Sequence, residues 1–218
     1  PKHRMQLSAG EYKSNRKSKG EFFHLQKASI IQAVKEFMPF VTIFHPDFEC
    51  DDVIATLVMK HAENNDSCYI ISSDSDFIQL HNICDVTIYN PVKKTEISKP
   101  DYDYVTWKAL RGDATDNIPG IPKVGDKTAT KLVNDPQLLR EFLSDPTKRE
   151  IFDKNVHLIR LVDLRNSEDE MNITRASLDA EGLRSYFERL EFDSMIKEKS
   201  WKKYIQTFKE VKNEPSIV

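Results

Sequence analysis

Seven carboxylates fall in three short segments of this 218-residue chain: Glu49, Asp51 and Asp52; Asp74 and Asp76; and Asp113 and Asp116. Asp51, Asp74 or Asp76 could each cap a helix, because an Asp side chain accepts from the free N–H groups of a first turn. A cap needs one side chain, however, and the first two segments supply three and two carboxylates. If the segments converge, repulsion is large: two unit charges about 4 Å apart cost roughly 4 kcal/mol at an effective dielectric near 20. Such a cluster must bind cations or take up protons. Oxygen ligands without His or Cys select hard ions, Mg²⁺ or Mn²⁺. Two such ions about 4 Å apart are the common device for phosphodiester hydrolysis, one activating a water and the other stabilising the leaving oxygen.

Directly after the third segment come Ile118-Pro119-Gly120-Ile121-Pro122-Lys123-Val124-Gly125 and then Asp126-Lys127-Thr128. A bare Gly/Pro turn between helices is one reading. Its position beside Asp113 and Asp116 favours another, in which backbone N–H groups over Gly120, Ile121, Val124, Gly125 and Thr128 meet phosphates, with Lys123, Lys127 and Lys131 alongside. No base-reading group is needed, so the expected ligand is DNA of any sequence.

These groups need a scaffold. Apolar spacing predicts a helix over 27–38 ended by Pro39, a strand over 40–44, a helix over 49–63, a strand over 68–73, a short helix near Phe77 and a strand over 85–89. Strands alternating with helices imply a parallel α/β sheet whose ligands lie beyond the carboxyl ends of the strands. Two of the acidic segments would stand there, after residues 40–44 and after residues 68–73. From about residue 101 the pattern is helical, with amphipathic stretches near 101–111, 126–134, 136–143, 147–162, 179–191 and 200–211. Residues 1–20 read as mobile or weakly helical. The expected divisions are 1–26, 27–98 and 99–218.

Composition sets outer limits. The formal net charge of −3 hides a cationic segment over residues 1–27, an asymmetry compatible with nucleic-acid binding. Cys50, Cys68 and Cys84 lack metal-binding spacing and are odd in number, which argues against zinc and against a disulfide framework. A reducing, intracellular compartment is expected. No apolar run approaches the ~18–20 residues of a membrane span, so no membrane partner is expected.

Glu49-Cys50-Asp51-Asp52, Ser73-Asp74-Ser75-Asp76 and Gly112-Asp113-Ala114-Thr115-Asp116-Asn117-Ile118-Pro119-Gly120-Ile121 resemble the acidic and helix–three-turn–helix motifs of the flap endonuclease and 5′-3′ exonuclease family. The resemblance covers residues 11–165 and is loose over 166–218. It implies a PIN-like sheet, incomplete at its N-terminus, followed by a helical DNA-binding region. It also implies two-metal hydrolysis of DNA or RNA–DNA hybrid in replication and repair, in the cytoplasm of a bacterium or a phage-infected host. By the same likeness, 1–26 is a remnant of the arch over the active site, where Lys13 and Arg16 hold the scissile phosphate. Asp51, Asp52, Asp74 and Asp76 would then hold the inner ion, Asp113 and Asp116 the outer one, and Glu49 would act through a water. The chain departs from the pattern in one respect. The family fold begins with strands carrying two further aspartates, and nothing precedes Pro1 here. That leaves three readings: a 5′-nuclease needing an added N-terminal segment, in cis or from a separate chain; a DNA-binding remnant that does not cut; and a PIN-type ribonuclease, disfavoured because such domains lack the Gly-Ile-Pro turn.

Overall fold

The computed structural model describes residues 2–209 and 211. The cationic N-terminal segment forms α1 (Lys2–Leu7), and α2 (Glu21–Phe37) begins at Glu21 rather than near residue 27 and stops before Pro39. After β1 (Val41–Phe44) come α3 (Cys50–Glu63) and β2 (Cys68–Ile71). Asp74 then starts a 3₁₀ turn over Ser75–Asn82, its carboxylate accepting the Asp76 N–H at 2.9 Å. Beyond lie β3 (Val86–Asn90), ended by Pro91, and the short β4 (Thr95–Glu96). Asp103 caps α4 (Tyr104–Arg111) by accepting the Thr106 N–H. The hairpin β5 (Gly112–Asp113) and β6 (Ile118–Pro119) leads into α5 (Asp126–Val133), which no side chain caps. α6 (Pro136–Phe142) and α7 (Pro146–Ile159) start alike: Asp135 and Asp145 accept first-turn N–H groups, and proline fills the first position, where its missing donor costs nothing. β7 (Asn172–Arg175), α8 (Ala180–Arg189), α9 (Asp193–Ile196) and α10 (Glu198–Lys209) complete the described chain. Among the described residues, no helix is long and apolar enough to cross a membrane.

The contacts divide the chain into two compact units, one of residues 2–16 with 45–170 and one of residues 17–44 with 171–209. In the first, β2 and β3 pair parallel, Ile70 opposite Ile88, as a β/α crossover requires. Their inner face and α3 bury Ala55, Val58, Ile70, Phe77, Leu80 and Ile88. Each large side chain of that kind contributes about 1.5–3 kcal/mol on leaving water. α4 packs on α7 around Ala109, Leu158 and Ile159, and α5 closes over Leu110. The second unit packs α2, α8 and α10 around Ala33, Leu183, Trp201 and Ile205.

One expectation is overturned. Residues 40–44 do not extend the parallel sheet: β1 belongs to the second unit and pairs antiparallel with β7, Ile43 opposite Ile173. A β-rich run fixes a strand but not its partner, and β7 carries a single large apolar residue, too weak a pattern to announce itself. The first acidic segment therefore stands at the N-terminus of α3, and only the second follows a strand of the parallel sheet.

The N-terminal segment is also less mobile than its composition implies. Arg4 is 2% exposed and Asp52 fully buried. The guanidinium meets both Asp52 oxygens, at 2.6 and 2.7 Å, and donates to the Leu158 and Arg160 carbonyls. The Val162 N–H completes the Asp52 shell at 2.9 Å. This pair ties α1, α3 and the segment after α7 together. Removing one partner strands a buried charge, so Arg4→Ala is expected to cost about 3–5 kcal/mol in urea denaturation. Arg4→Met combined with Asp52→Leu should recover most of that loss; equal destabilisation by the double variant would contradict the pair's role.

Candidate functional site

Asp76, Asp113 and Asp116 come to one place by three routes. Asp76 is set by the turn after β2, where the Asp74 carboxylate accepts its N–H. Asp113 lies on β5, where its carboxylate accepts the Thr115 N–H at 2.8 Å, and Asp116 ends the one-turn 3₁₀ helix that follows. Gly112 makes the turn out of α4 at φ +83°, and a Cβ there would sit 2.2 Å from the Gly120 nitrogen. A Cβ on Gly120 would meet the Arg111 carbonyl oxygen at 1.9 Å. Only two glycines allow this crossing of backbones. Buried Asn155 locks it, donating to the carbonyls of Ala109 and Pro119 at 2.9 and 2.7 Å.

One oxygen from each of Asp76, Asp113 and Asp116 lies within 4.8 Å of the others. Asp76 of the second segment thus meets both carboxylates of the third. The first is split. Asp52 accepts from Arg4 and from two backbone N–H groups, those of Glu49 and Val162. Glu49 approaches Asp116 through the Tyr12 hydroxyl, which lies 2.9 Å from the one and 3.0 Å from the other. Asp51 and Asp74 face each other closely enough for the Asp74 charge to raise the Asp51 pKa, though burial of Asp51 is the larger cause.

Cations inside the protein answer part of the repulsion. Lys108 is 5% exposed, hydrogen-bonded to Asp76 and 2.7 Å from Asp113. Lys13 meets Glu49 and lies 3.6 Å from Asp116, which Arg16 reaches at 2.5 Å. Compensation is uneven across the site. Asp76 is held above the usual carboxylate value because burial, with the charges of Asp74 and Asp113, outweighs Lys108. Asp113 is held below it: burial works upward, but the bond and charge of Lys108 and the Thr115 N–H prevail. Burial also opposes charge on Lys108, yet Asp76, Tyr104 and Asp113 keep its pKa raised. Desolvation of its sulfur and the neighbouring Asp51 push the Cys50 thiol up to about 11, although the residue as a whole is exposed.

A cavity of about 560 Å³ opens onto Asp74, Asp76, Asp113, Asp116 and Arg16, and Tyr102, Trp107 and Arg111 are among its further lining residues. In the Gly120–Thr128 turn, Ile121 and Val124 are buried and offer only backbone, while Lys123, Lys127 and Thr128 are exposed. Sequence reasoning missed Arg4, Lys108 and Asn155. Each is one polar residue in an otherwise helical stretch, and only the fold shows what it faces.

Residues 2–108 match the family described as the 5′-3′ exonuclease N-terminal resolvase-like domain, and residues 99–176 the 5′-3′ exonuclease C-terminal SAM fold. A thermostable DNA polymerase I of Thermus thermophilus is 32% identical over 212 residues, 86% of this chain and 25% of the relative. The 5′-3′ exonuclease of Buchnera aphidicola is 35% identical over 133 residues, 57% of this chain and 46% of the relative. The chain therefore spans about a quarter of the first relative and under half of the second. The bacteriophage T5 D15 flap endonuclease, in a pseudo-enzyme-product complex with DNA and metal ions, superposes with a TM-score of 0.56 at 17% identity. That match covers 95% of this chain and 79% of the other. The T5 5′-exonuclease with bound zinc gives 0.53 at 18% identity, covering 95% and 79%. At such identity the likeness is one of fold.

The two titration directions give opposite expectations for neutralising variants in EDTA at pH 7. Asp76 has a raised native pKa, so its ionisation costs stability as pH rises above its unfolded value near 3.8. Asp76→Asn should therefore raise the melting temperature. Asp113 has a lowered pKa, so its charge stabilises at neutral pH and the benefit fades as pH falls through the native value. Asp113→Asn should lower the melting temperature, by about 2–4 °C for each kcal/mol lost in a chain of this size. Shifts of the same sign in calorimetry would contradict this account of the site.

Proposed function

This chain belongs to the 5′-3′ exonuclease family, and from that premise we propose that it is a metal-dependent 5′-nuclease hydrolysing DNA, or RNA–DNA hybrid, from a 5′ end or flap. The observation carrying the proposal is the meeting of Asp76, Asp113 and Asp116 oxygens within 4.8 Å. The donor set fits a hard divalent cation, having only carboxylates. Mg²⁺ or Mn²⁺ is our assignment, with a second ion toward Asp51 and Asp74. Glu49 would act through a water. The T5 relatives hold metal ions, and one holds DNA as well. Bound there, such ions supply an activated water and stabilisation of the leaving oxygen.

The chain's own residues do the rest. Asp52 acts through position, fixing α3 by way of Arg4. Lys108 holds Asp76 and Asp113 at their spacing. Lys13 and Arg16 neutralise Glu49 and Asp116, and once other charge meets those carboxylates they are free to face the scissile phosphate and offset the developing oxyanion. Beyond the cavity, backbone N–H groups from Gly120 to Thr128, with Lys123 and Lys127, would grip duplex phosphates without reading sequence. A further partner is part of the proposal. Tyr69 and Ile71 on β2 are 61% and 67% exposed while Ile70 faces the core. Apolar residues on both faces are the pattern of a strand covered on both sides, and a strand–helix segment from a separate chain would cover this one. Three free cysteines suit the reducing cytoplasm.

A labelled 5′-flap substrate tests the reading. Cutting in Mg²⁺ and none in EDTA is expected, with Asp113→Ala and Asp116→Ala each reducing the rate roughly 10²–10⁴-fold. Lys123→Glu should weaken all duplexes alike and lower the salt slope by about 1. EDTA-resistant cutting would refute the metal mechanism. Salt-dependent binding without cutting, even with an added N-terminal segment, would support a DNA-binding module instead.

A further inference from the structure

The acidic cavity has a second wall of different chemistry. Tyr104 is anchored by its hydroxyl, 3.0 Å from Ser75 Oγ, and stacks at 25° on Trp107 with centroids 6.2 Å apart. Trp107 is pinned by its indole N–H, which donates to Thr130 Oγ1 at 3.0 Å. Tyr102 lies 5.6 Å from Trp107 at 31°, and the Arg111 guanidinium sits 5.2 Å from the Trp107 ring. Tyr104 is buried, Trp107 and Tyr102 are half-buried, and Arg111 is exposed. All four line the same cavity as Asp76, Asp113 and Asp116.

Packing of a core explains Tyr104 and Trp107. It does not explain why Tyr102, outside the helix and outside every core cluster, continues the row of rings into a cavity that also holds Asp74, Asp76, Asp113 and Asp116. A rigid aromatic with a guanidinium beside it is the surface on which nucleobases stack without regard to sequence. At about 560 Å³ the cavity lies within the range that takes a small ligand such as one nucleotide.

We propose that Tyr102, carried by the Trp107 stack, is a base-stacking platform of the acidic cavity, taking the nucleobase of the nucleotide whose phosphate faces Asp76, Asp113 and Asp116. This rests on the nuclease reading above. Tyr102 is then a positioning residue. It holds the terminal nucleotide by its π-face, so any base serves and an abasic sugar does not, while Arg111 faces the same ring system as a cation.

The test uses the full chain with Ca²⁺ in place of Mg²⁺ and a short single strand carrying 2-aminopurine at its 5′ end. Stacking should quench the fluorophore on the wild type and leave it bright on Tyr102→Ala. An abasic 5′ nucleotide should weaken wild-type binding roughly tenfold, about 1.4 kcal/mol. It should change binding little in Tyr102→Ala, because both changes remove one interaction. Tyr102→Phe should retain quenching and affinity, which separates stacking from hydroxyl bonding and from misfolding. Unchanged quenching in Tyr102→Ala, or additive losses from the variant and the abasic site, would overturn the platform. Failure of the wild type to bind any DNA in a salt-dependent way would instead overturn the nuclease reading itself.

Discussion

The fold of the first unit answers an electrostatic problem. Seven carboxylates in three segments are brought toward one another, and buried like charges cannot all stay ionised without compensation. Compensation comes from side-chain cations at four points: Arg4 on Asp52 and Glu49, Lys13 on Glu49, Arg16 on Asp116, and Lys108 between Asp76 and Asp113. Four cations do not balance seven carboxylates. The excess negative charge collects where Asp51, Asp74 and Asp76 are, and two of these have raised pKa values, burial being the main cause in each. A site left under-neutralised in this way attracts external cations, and perturbed carboxylates in a cleft are a mark of function.

Backbone geometry decides which carboxylates take part. α4 must stop abruptly, and the chain must return over its last turn, for Asp113 and Asp116 to reach Asp76. Gly112 and Gly120 permit the crossing and Asn155 satisfies the carbonyls it would strand. The same hairpin delivers the chain to the Gly120–Thr128 turn. Acidic cluster and candidate phosphate clamp are thus two ends of one local structure, and a change that loosened the crossing would move both.

Much of this was legible beforehand. The acidic motifs with the Gly-Ile-Pro turn identified the family that the comparisons show, because such motifs combine several constraints at fixed spacing. Helices α3, α5, α6 and α7 fell close to their expected spans, since apolar periodicity marked all four and an Asp cap with Pro at the first position agreed with it at α6 and α7. Strand pairing was not legible. β1 looked like a member of the parallel sheet, and its partner β7 lies more than a hundred residues away with a polar face. The setting of Asp52 was hidden for a related reason: its type and position fit a metal ligand, and only the fold shows Arg4 arriving from α1 at its oxygens. Long-range polar pairing leaves no local trace.

Burial sorts the charged pairs into fixed and exchangeable sets. The Arg4–Asp52 pair is out of water on both sides, so either partner alone would be stranded and the contact persists in any working state. Lys108 is nearly as buried, with 7% of its side chain exposed, and shares two carboxylates, which makes it a spacer. Arg16 is different. Its side chain is 53% exposed while that of its partner Asp116 is only 12% exposed. The guanidinium can turn to solvent once another cation meets Asp116, whereas Arg4 has no solvent to turn to. The gradient runs from the interior to the cavity: the inner pairs hold their carboxylates in place, and the outer cation is open to solvent.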